Sequence, residues 1–593
     1  MAAQKKSMQD TTGKKAANTK AKKARVDASP KTDADQTKKK ANSAETGQTV
    51  KHASGVALVS AECRGIAKIG GLADAVRDLA GALFALHCPV RVIMPWYAGL
   101  FGAKGLQESV CEFIANLTIR FAGKDESCAL YRHCLPDGLP VYLIKSDRWF
   151  AGDYGSVYVD SAALGHGPFE DDATRFAFFS AAALECVRSL AEFTDVRVVH
   201  CHDWHSAVLL TLLCHDTRYA AVHARVKTLF TIHNLDYQGV RPWQGGTGSF
   251  ESWFPGVYAQ LMHKDLLASL SAPANGDCYN PMRAAIRCAD MVSTVSPGYA
   301  REITLPDNPA AHFAGGRGLE RDLAELAGRK RLPGILNGID YAQHDPGKSP
   351  HPYSEDMPSW RQERLLGREE FVNTLPAWID SLAKSHGAGF KNSSHLQAAC
   401  KNFEPLLWKN RALFVAVTRV AQQKFGLLFS RMPDGRSLLE HFLDRPLALI
   451  VLGSGEFENA LDALMERPNA LFLNLFDAEA ASRLYRVGDV FLMPSDFEPC
   501  GISQLISMRY ACLPFVHDTG GLHDTVTHRE TGFSYSGENL SAQQKSFLRL
   551  TDDILWFREN CIPEWTRMQE RAMRARFSLP EQAAKYLELY AAL

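Results

Sequence analysis

From Gly55 onward, short apolar runs alternate with longer stretches whose apolar residues recur at helical spacing. That alternation predicts parallel strands joined by crossover helices, an α/β fold of the doubly wound kind. Six runs in the first half read as strands: GVALVSAE from Gly55, PVRVIMP from Pro89, PVYLIK from Pro140, VRVVHCHD from Val196, VKTLFTIHN from Val226 and DMVSTVSP from Asp290. A second series follows with ALFVAVTR from Ala412, LALIVLGSG from Leu447, NALFLNLF from Asn469, DVFLMPS from Asp489 and LPFVHDTGG from Leu513. Two such series predict two Rossmann-like domains, with ligands bound beyond the carboxyl ends of the strands. The boundaries fall at 53–336 for the N-terminal domain and 337–574 for the C-terminal one. A polar stretch at about 349–391, with Pro350, Pro352 and Pro358 and no strand pattern, reads as an insertion near the junction. The last segment, 575–593, carries one apolar stripe at helical spacing in PEQAAKYLELYAAL, and is expected to cross back and pack on the N-terminal domain.

Length agrees with this division, since 593 residues exceed what one ordinary core accommodates. The composition, 46% apolar and 22% charged, is that of a soluble globular protein. No apolar run approaches the roughly 20 residues that span a bilayer. The 14 cysteines are scattered without a CxxC pair, which predicts free thiols in a reducing cytoplasm. The zero net charge is unevenly distributed: residues 1–50 hold 12 Lys/Arg against 5 Asp/Glu. Residues 1–52 therefore read as a disordered basic tail, a solubilising extension or a weak polyanion binder, and a poor match to a transit peptide.

Two glycine pairs each follow a strand and open a helix, Gly70-Gly71 in KIGGLAD and Gly520-Gly521 in TGGLHDT. Such a turn lets backbone N–H groups approach a phosphate, and the helix dipole adds about 0.3–2 kcal/mol for an anion; it is equally what a plain tight βα turn needs. Arg419 and Lys424 in TRVAQQKFG lie just beyond a buried strand. They are either a solvated loop pair or, facing a cleft that holds two amide nests, the charges that neutralise a departing diphosphate. VHCHDWHSA sets His200, His202, Asp203 and His205 at a strand tip. No further Cys or His pair completes a tetrahedral set, so zinc is rejected. Glu498, before Pro, Cys500 and Gly501 in DFEPCGISQ, either caps a helix or accepts hydrogen bonds from sugar hydroxyls. Two cations, two Gly-Gly nests and isolated carboxylates suit transfer from a diphosphate better than hydrolysis by paired carboxylates.

Taken together, KIGGLAD, DDATRF, HCHDWH, FTIHNLDYQG, ADMVSTVSPGYARE, GILNGID, TRVAQQK, LGSGE, MPSDFEPCG, TGGL and AAKYLELY closely resemble the bacterial glycogen synthase and plant starch synthase family over Gly55–Leu593. These are retaining glycosyltransferases of the GT-B fold, with two Rossmann domains facing across a cleft. The resemblance implies glucosyl transfer from ADP-glucose to the nonreducing end of an α-1,4-glucan, without a metal or other cofactor. It places Lys68, Gly70 and Gly71 near the donor diphosphate, with Arg419 and Lys424 clamping it and Thr519, Gly520 and Gly521 completing the cradle. Asp171, His202 and Glu498 would hold the glucosyl unit, with Asn337, Cys500 and Gly501 close by. His202 would also turn its main-chain carbonyl to the oxocarbenium-like centre. Departures from the family pattern are Phe425 for Gly, Asp172 for Asn, His344-Asp345 for Trp-Asn, Ile502 for Leu, Ile506 for Tyr and Leu579 for Trp. They bear on nucleotide preference and rate. The alternatives are UDP-glucose as donor, a small acceptor such as glucose 1-phosphate, and a non-catalytic glucan- or nucleotide-binding scaffold; membrane and nucleic-acid partners are not expected.

Overall fold

The computed structural model describes residues 54–100, 106–167, 169–408 and 410–593, and the basic tail at 1–52 lies outside them. All eleven runs read as strands above form strands, in two separate sheets. The first sheet runs in the order Met291–Thr294, Lys227–Ile232, Val196–His202, Gly55–Val59, Val90–Pro95, Pro140–Lys145, Lys124–Cys134, Glu112–Phe121. Its first six strands are parallel, and the last two join antiparallel as a hairpin. The second sheet is wholly parallel, in the order Ala470–Leu473, Leu447–Leu452, Ala412–Val417, Val490–Met493, Leu513–His517, Phe533–Tyr535. Each sheet has its own apolar core. Both lie in one compact unit, His52–Leu593.

The strand orders locate the cleft. In the first sheet Gly55–Val59 is flanked by Val90–Pro95 on one side and Val196–His202 on the other. In the second, Ala412–Val417 is flanked by Leu447–Leu452 and Val490–Met493. At each such reversal the crossover helices depart to opposite faces and leave a crevice beyond the strand tips. The chain that leaves those tips carries Glu62 and the KIGG turn, His202 and Asp203, Arg419, and Glu498.

The stretch at 349–391, expected as an insertion, carries a helix, Trp360–His386. Phe371, Leu375 and Ile379 repeat every four residues and enter the second core. Its buried arginines mask this pattern in the sequence. Arg368 pairs with buried Asp489 at 2.5 Å, and Arg364 Nε donates to the Tyr510 carbonyl at 3.2 Å. The C-terminal helix, Leu579–Ala592, packs against the helix Gly71–Ala85 of the first half. Ala583 and Tyr586 enter the first core, and the Tyr590 hydroxyl meets His200 Nδ1 at 2.8 Å. Among the described residues no helix is long and apolar enough to cross a membrane.

Candidate active site

On the second-sheet side, Lys424 lies in the first turn of the helix Gln422–Phe429 and forms an ion pair with Glu498. Both side chains are nearly withdrawn from solvent, 13% and 8% exposed. Glu498 also accepts from Ser495 Oγ at 3.0 Å. A desolvated pair is costly to build unless its remaining valences are used. Phe425, where the family pattern has Gly, is fully buried in the second core near Phe429, so packing absorbs the departure.

The Thr519–Gly521 turn closes directly over this pair. Gly521 N–H donates to the Glu498 carbonyl at 2.9 Å. Gly520 has φ +46°, and a Cβ there would lie 2.1 Å from the Glu498 carbonyl oxygen; at Gly521 it would lie 2.3 Å from that of Cys500. Only glycine permits this approach. Cys500 is buried, burial pushes its thiol up to about 12, and the Asn337 backbone N–H bonds to its sulfur. A neutral thiol of this kind is packing, not a nucleophile. Gln582 of the C-terminal helix donates to Asn337 Oδ1 at 3.1 Å, and Gln504 fastens the Cys500 and Gly501 carbonyls, each at 3.1 Å.

On the first-sheet side, His202 Nδ1 meets His233 Nε2 at 3.0 Å, while its Nε2 is buried without a partner among the described residues. Burial, then the neighbouring His200 and His233, hold its pKa well below the ordinary value, so it is neutral. Its main-chain carbonyl accepts from Ser206 Oγ at 2.9 Å. Asp203 stands at φ 54°, ψ 180°, a region few non-glycine residues occupy. The strain is held by the buried carboxylate, which accepts from the His233 N–H at 2.7 Å. Asp171 is buried at the start of the helix Glu170–Ser189. Burial opposes its ionisation, but bonds from His166 and Tyr154, both at 2.9 Å, together with one from Ser161, hold it below the usual carboxylate range. Asp172, in the place of Asn, forms a fully buried pair with Arg175 at 2.7 Å.

Both glycine turns carry a carboxylate of the chain itself, which the sequence reading did not identify. Glu62 Oε2 accepts from the Ile69 N–H at 2.6 Å and the Gly70 N–H at 3.0 Å. Glu302 Oε1 accepts from the Gly520 N–H at 2.7 Å and Thr519 Oγ1 at 3.2 Å. These contacts fix the turns from behind. No atom lies within 4 Å of a Cβ built on Gly70 or Gly71, which leaves that turn's outer surface open. Lys68 pairs with Asp74 at 2.6 Å, and its ammonium stands 5.8 Å from the ring centroid of Phe476, a side chain 76% exposed. Phe476 was also missed, because a lone Phe beyond a strand is indistinguishable from core in sequence.

Arg419 is exposed and forms no hydrogen bond or ion pair among the described residues. It lines a cavity of about 460 Å³ with Asp236, Tyr237 and Arg317 of the first half and Asp496 and Phe497 of the second. Lys424, Glu498, Cys500, Asn337 and the Thr519–Gly521 turn are thus joined in one contact network, and His202, His233 and Asp203 in another. No direct bond links the two networks among the described residues. The halves meet nearby, where Ser296 Oγ donates to the Pro499 carbonyl at 2.6 Å and Gly298 N–H to Asp524.

Comparison with known proteins agrees with this arrangement. Residues 55–325 match the family described as starch synthase catalytic domain, and residues 418–564 match glycosyl transferases group 1. A glycogen synthase of Streptococcus mutans is 31% identical over 547 residues, covering 90% of this chain and 99% of that protein. Glycogen synthase 1 of Synechocystis sp. is 33% identical over 551 residues, covering 90% and 94%. Among solved structures, the catalytic domain of starch synthase IV from Arabidopsis thaliana, bound to ADP and acarbose, superposes with a TM-score of 0.67 at 25% identity, covering 91% of this chain and 99% of that one. With two sheets, an open cleft between their switch points and relatives that match nearly end to end, the chain belongs to the glycogen synthase and starch synthase family of glycosyltransferases.

Proposed function

We propose that the protein extends an α-1,4-glucan at its nonreducing end with glucose from ADP-glucose, retaining the anomeric configuration. The observation that carries this reading is the desolvated Lys424–Glu498 pair beneath the Thr519–Gly521 turn, with the unpaired guanidinium of Arg419 in a cavity lined also by Gln423, Asp496 and Phe497 of the same strand-tip segments. A site of this kind places fixed positive charge where a leaving diphosphate gains negative charge, and such preorganised electrostatics is the largest lever on transfer. In this reading Arg419 and Lys424 take the diphosphate, the Gly71 N–H of the open KIGG turn adds a donor beside Lys68, the Thr519–Gly521 turn, whose own N–H groups are bonded within the chain, walls the cradle, and exposed Phe476 offers a ring face to the nucleotide base. Glu498, Asp171 and neutral His202 hold glucosyl hydroxyls, with Asn337, Cys500 and Gly501 shaping the pocket wall.

Retention then requires attack from the face the diphosphate leaves. The C1–O bond to the β-phosphate breaks, the oxocarbenium-like centre faces the His202 carbonyl, and the glucan hydroxyl adds as its proton passes to the departing phosphate. No protein nucleophile, metal or other cofactor enters these steps. The ADP and acarbose carried by the Arabidopsis starch synthase IV structure support ADP-glucose and a glucan as substrates here. The fourteen free cysteines support a reducing cytoplasm as the compartment.

The test is product analysis with each donor. ADP-glucose and glycogen are expected to give new linkages cleaved by an α-1,4-specific glucanase and reported as α by anomeric proton couplings. Turnover only with UDP-glucose would move the donor assignment, and turnover only with glucose 1-phosphate as acceptor would overturn the glucan reading.

A further inference from the structure

Away from the cleft, two packed helices bring two thiols and an imidazole together at their C-terminal ends. Trp204–His215 ends on Cys214 and His215, and Pro281–Cys288 ends on Cys288. Cys214 Sγ lies 3.5 Å from the Cys288 carbonyl oxygen, and Cys288 Sγ lies 3.6 Å from His215 Nε2. Both cysteines are free and half-buried. The Cys214 sulfur thus lies against the main chain of Cys288 itself, which makes the two cysteines neighbours across the helix pair. Among the described residues no three His, Cys, Asp or Glu side chains converge to hold a metal ion, so thiol chemistry is what this trio offers.

The electrostatics divides the roles. The neighbouring Cys288 thiol is the largest influence on Cys214 and holds its pKa below the ordinary thiol value, against burial and the nearby Asp290 carboxylate. The proximity of Cys214, then burial, raises Cys288. Burial, then the charges of Lys264 and His223, lower His215, leaving a neutral imidazole able to take a proton. A stabilised thiolate beside a protonated thiol and a base is the arrangement of an attacking and a resolving cysteine.

We propose that Cys214 and Cys288 form a thiol–disulfide exchange site that a low-molecular-mass disulfide, such as glutathione disulfide, converts reversibly to an intramolecular disulfide. The Cys214 thiolate attacks one sulfur of glutathione disulfide, releasing one glutathione thiolate and leaving a mixed disulfide. His215 takes the Cys288 proton, and the Cys288 thiolate attacks Cys214 Sγ, releasing the second glutathione. The protein loses two thiol hydrogens and two electrons, and the reagent gains both as two thiols. The bridge would tie the far ends of helices whose near ends carry Asp203 and Asn280. Asp203 precedes one, and Asn280, which donates to Gln238 at 2.6 Å, caps the other.

The experiment treats the reduced full-length chain with glutathione disulfide, quenches it by alkylation in acid, and reads intact mass and non-reducing peptide maps over time. The expected course is transient glutathione on Cys214, then a protein two hydrogens lighter than the reduced form, with linked Cys214 and Cys288 peptides, reversed by dithiothreitol. Cys288→Ser is expected to hold glutathione on Cys214, and His215→Gln to slow the second step ~10-fold or more while sparing the first. The wild-type map decides even where a variant folds poorly. Cys214 left reduced, glutathione retained with Cys288 free, or a bond from either residue to another cysteine would overturn the proposal.

Discussion

At the scale of single residues, the polar groups of the cleft motifs were the legible ones. Lys424, Glu498, Arg419 and His202 stand in motifs whose residue types suggest the roles proposed for them, and each lies at the end of a strand or in the segment that follows it, where cleft groups belong. Glu62, Glu302 and Phe476 were not legible, because what distinguishes them is a partner far along the chain or an exposure that no local spacing encodes. Asp203 was seen as a motif member but not as a strained, buried acid. Burial raises its carboxyl to about 7, opposed by the His233 and Asn234 N–H groups. The native state therefore keeps a proton that the unfolded chain releases near ~4. Its contribution to stability is fully present below that value and is lost as pH rises through about 7. Asp203→Asn keeps an acceptor for the His233 N–H and removes the titration. Relative to wild type it is expected to gain stability steadily from about pH 4 to about pH 8, read as urea midpoints. A difference that does not change with pH would contradict the assignment.

At the scale of elements, alternation of apolar runs was enough to find every parallel strand of both sheets except Phe533–Tyr535, which has only three residues. The antiparallel hairpin Glu112–Cys134 was missed, since its half-exposed strands alternate polar and apolar residues and lack a continuous run. The helix Trp360–His386 was missed for the opposite reason: it buries arginines that a periodicity count scores as surface. The short helix Pro297–Glu302 matters beyond its length, because it meets the Gly520 turn across the cleft. A Cβ at Gly298 would lie 2.3 Å from the Gly520 carbonyl oxygen. Gly298→Ala is expected to cost about 1–3 kcal/mol by overpacking this seam, and to weaken donor binding because it shifts the turn proposed to wall the diphosphate site. Calorimetry and donor titration check the pair of effects; an unchanged stability would show that the seam yields freely.

At the scale of the whole molecule, two sheets with facing switch points follow from the two series of strands, and the C-terminal helix returns to the first core as its single apolar stripe requires. What the sequence withheld is how the cleft groups divide. His202 and Asp171 belong to one side, Lys424, Glu498 and the Thr519–Gly521 turn to the other, without a direct bond between them among the described residues. Chemistry that needs both sets needs the halves to approach around the donor. Small-angle scattering is expected to show a smaller radius of gyration with ADP-glucose than without it, and an unchanged radius at saturating donor would contradict closure.

The most direct test of the central claim is acceptor-dependent ADP release from ADP-glucose and glycogen, measured for the wild-type chain and Lys424→Ala side by side. The account predicts release by wild type only when glucan is present, and a fall of about 10²-fold or more in turnover for the variant with its circular dichroism unchanged. A folded Lys424→Ala protein that turns over like wild type would contradict it, because the buried Lys424–Glu498 pair would then be structural and the diphosphate clamp would lie elsewhere.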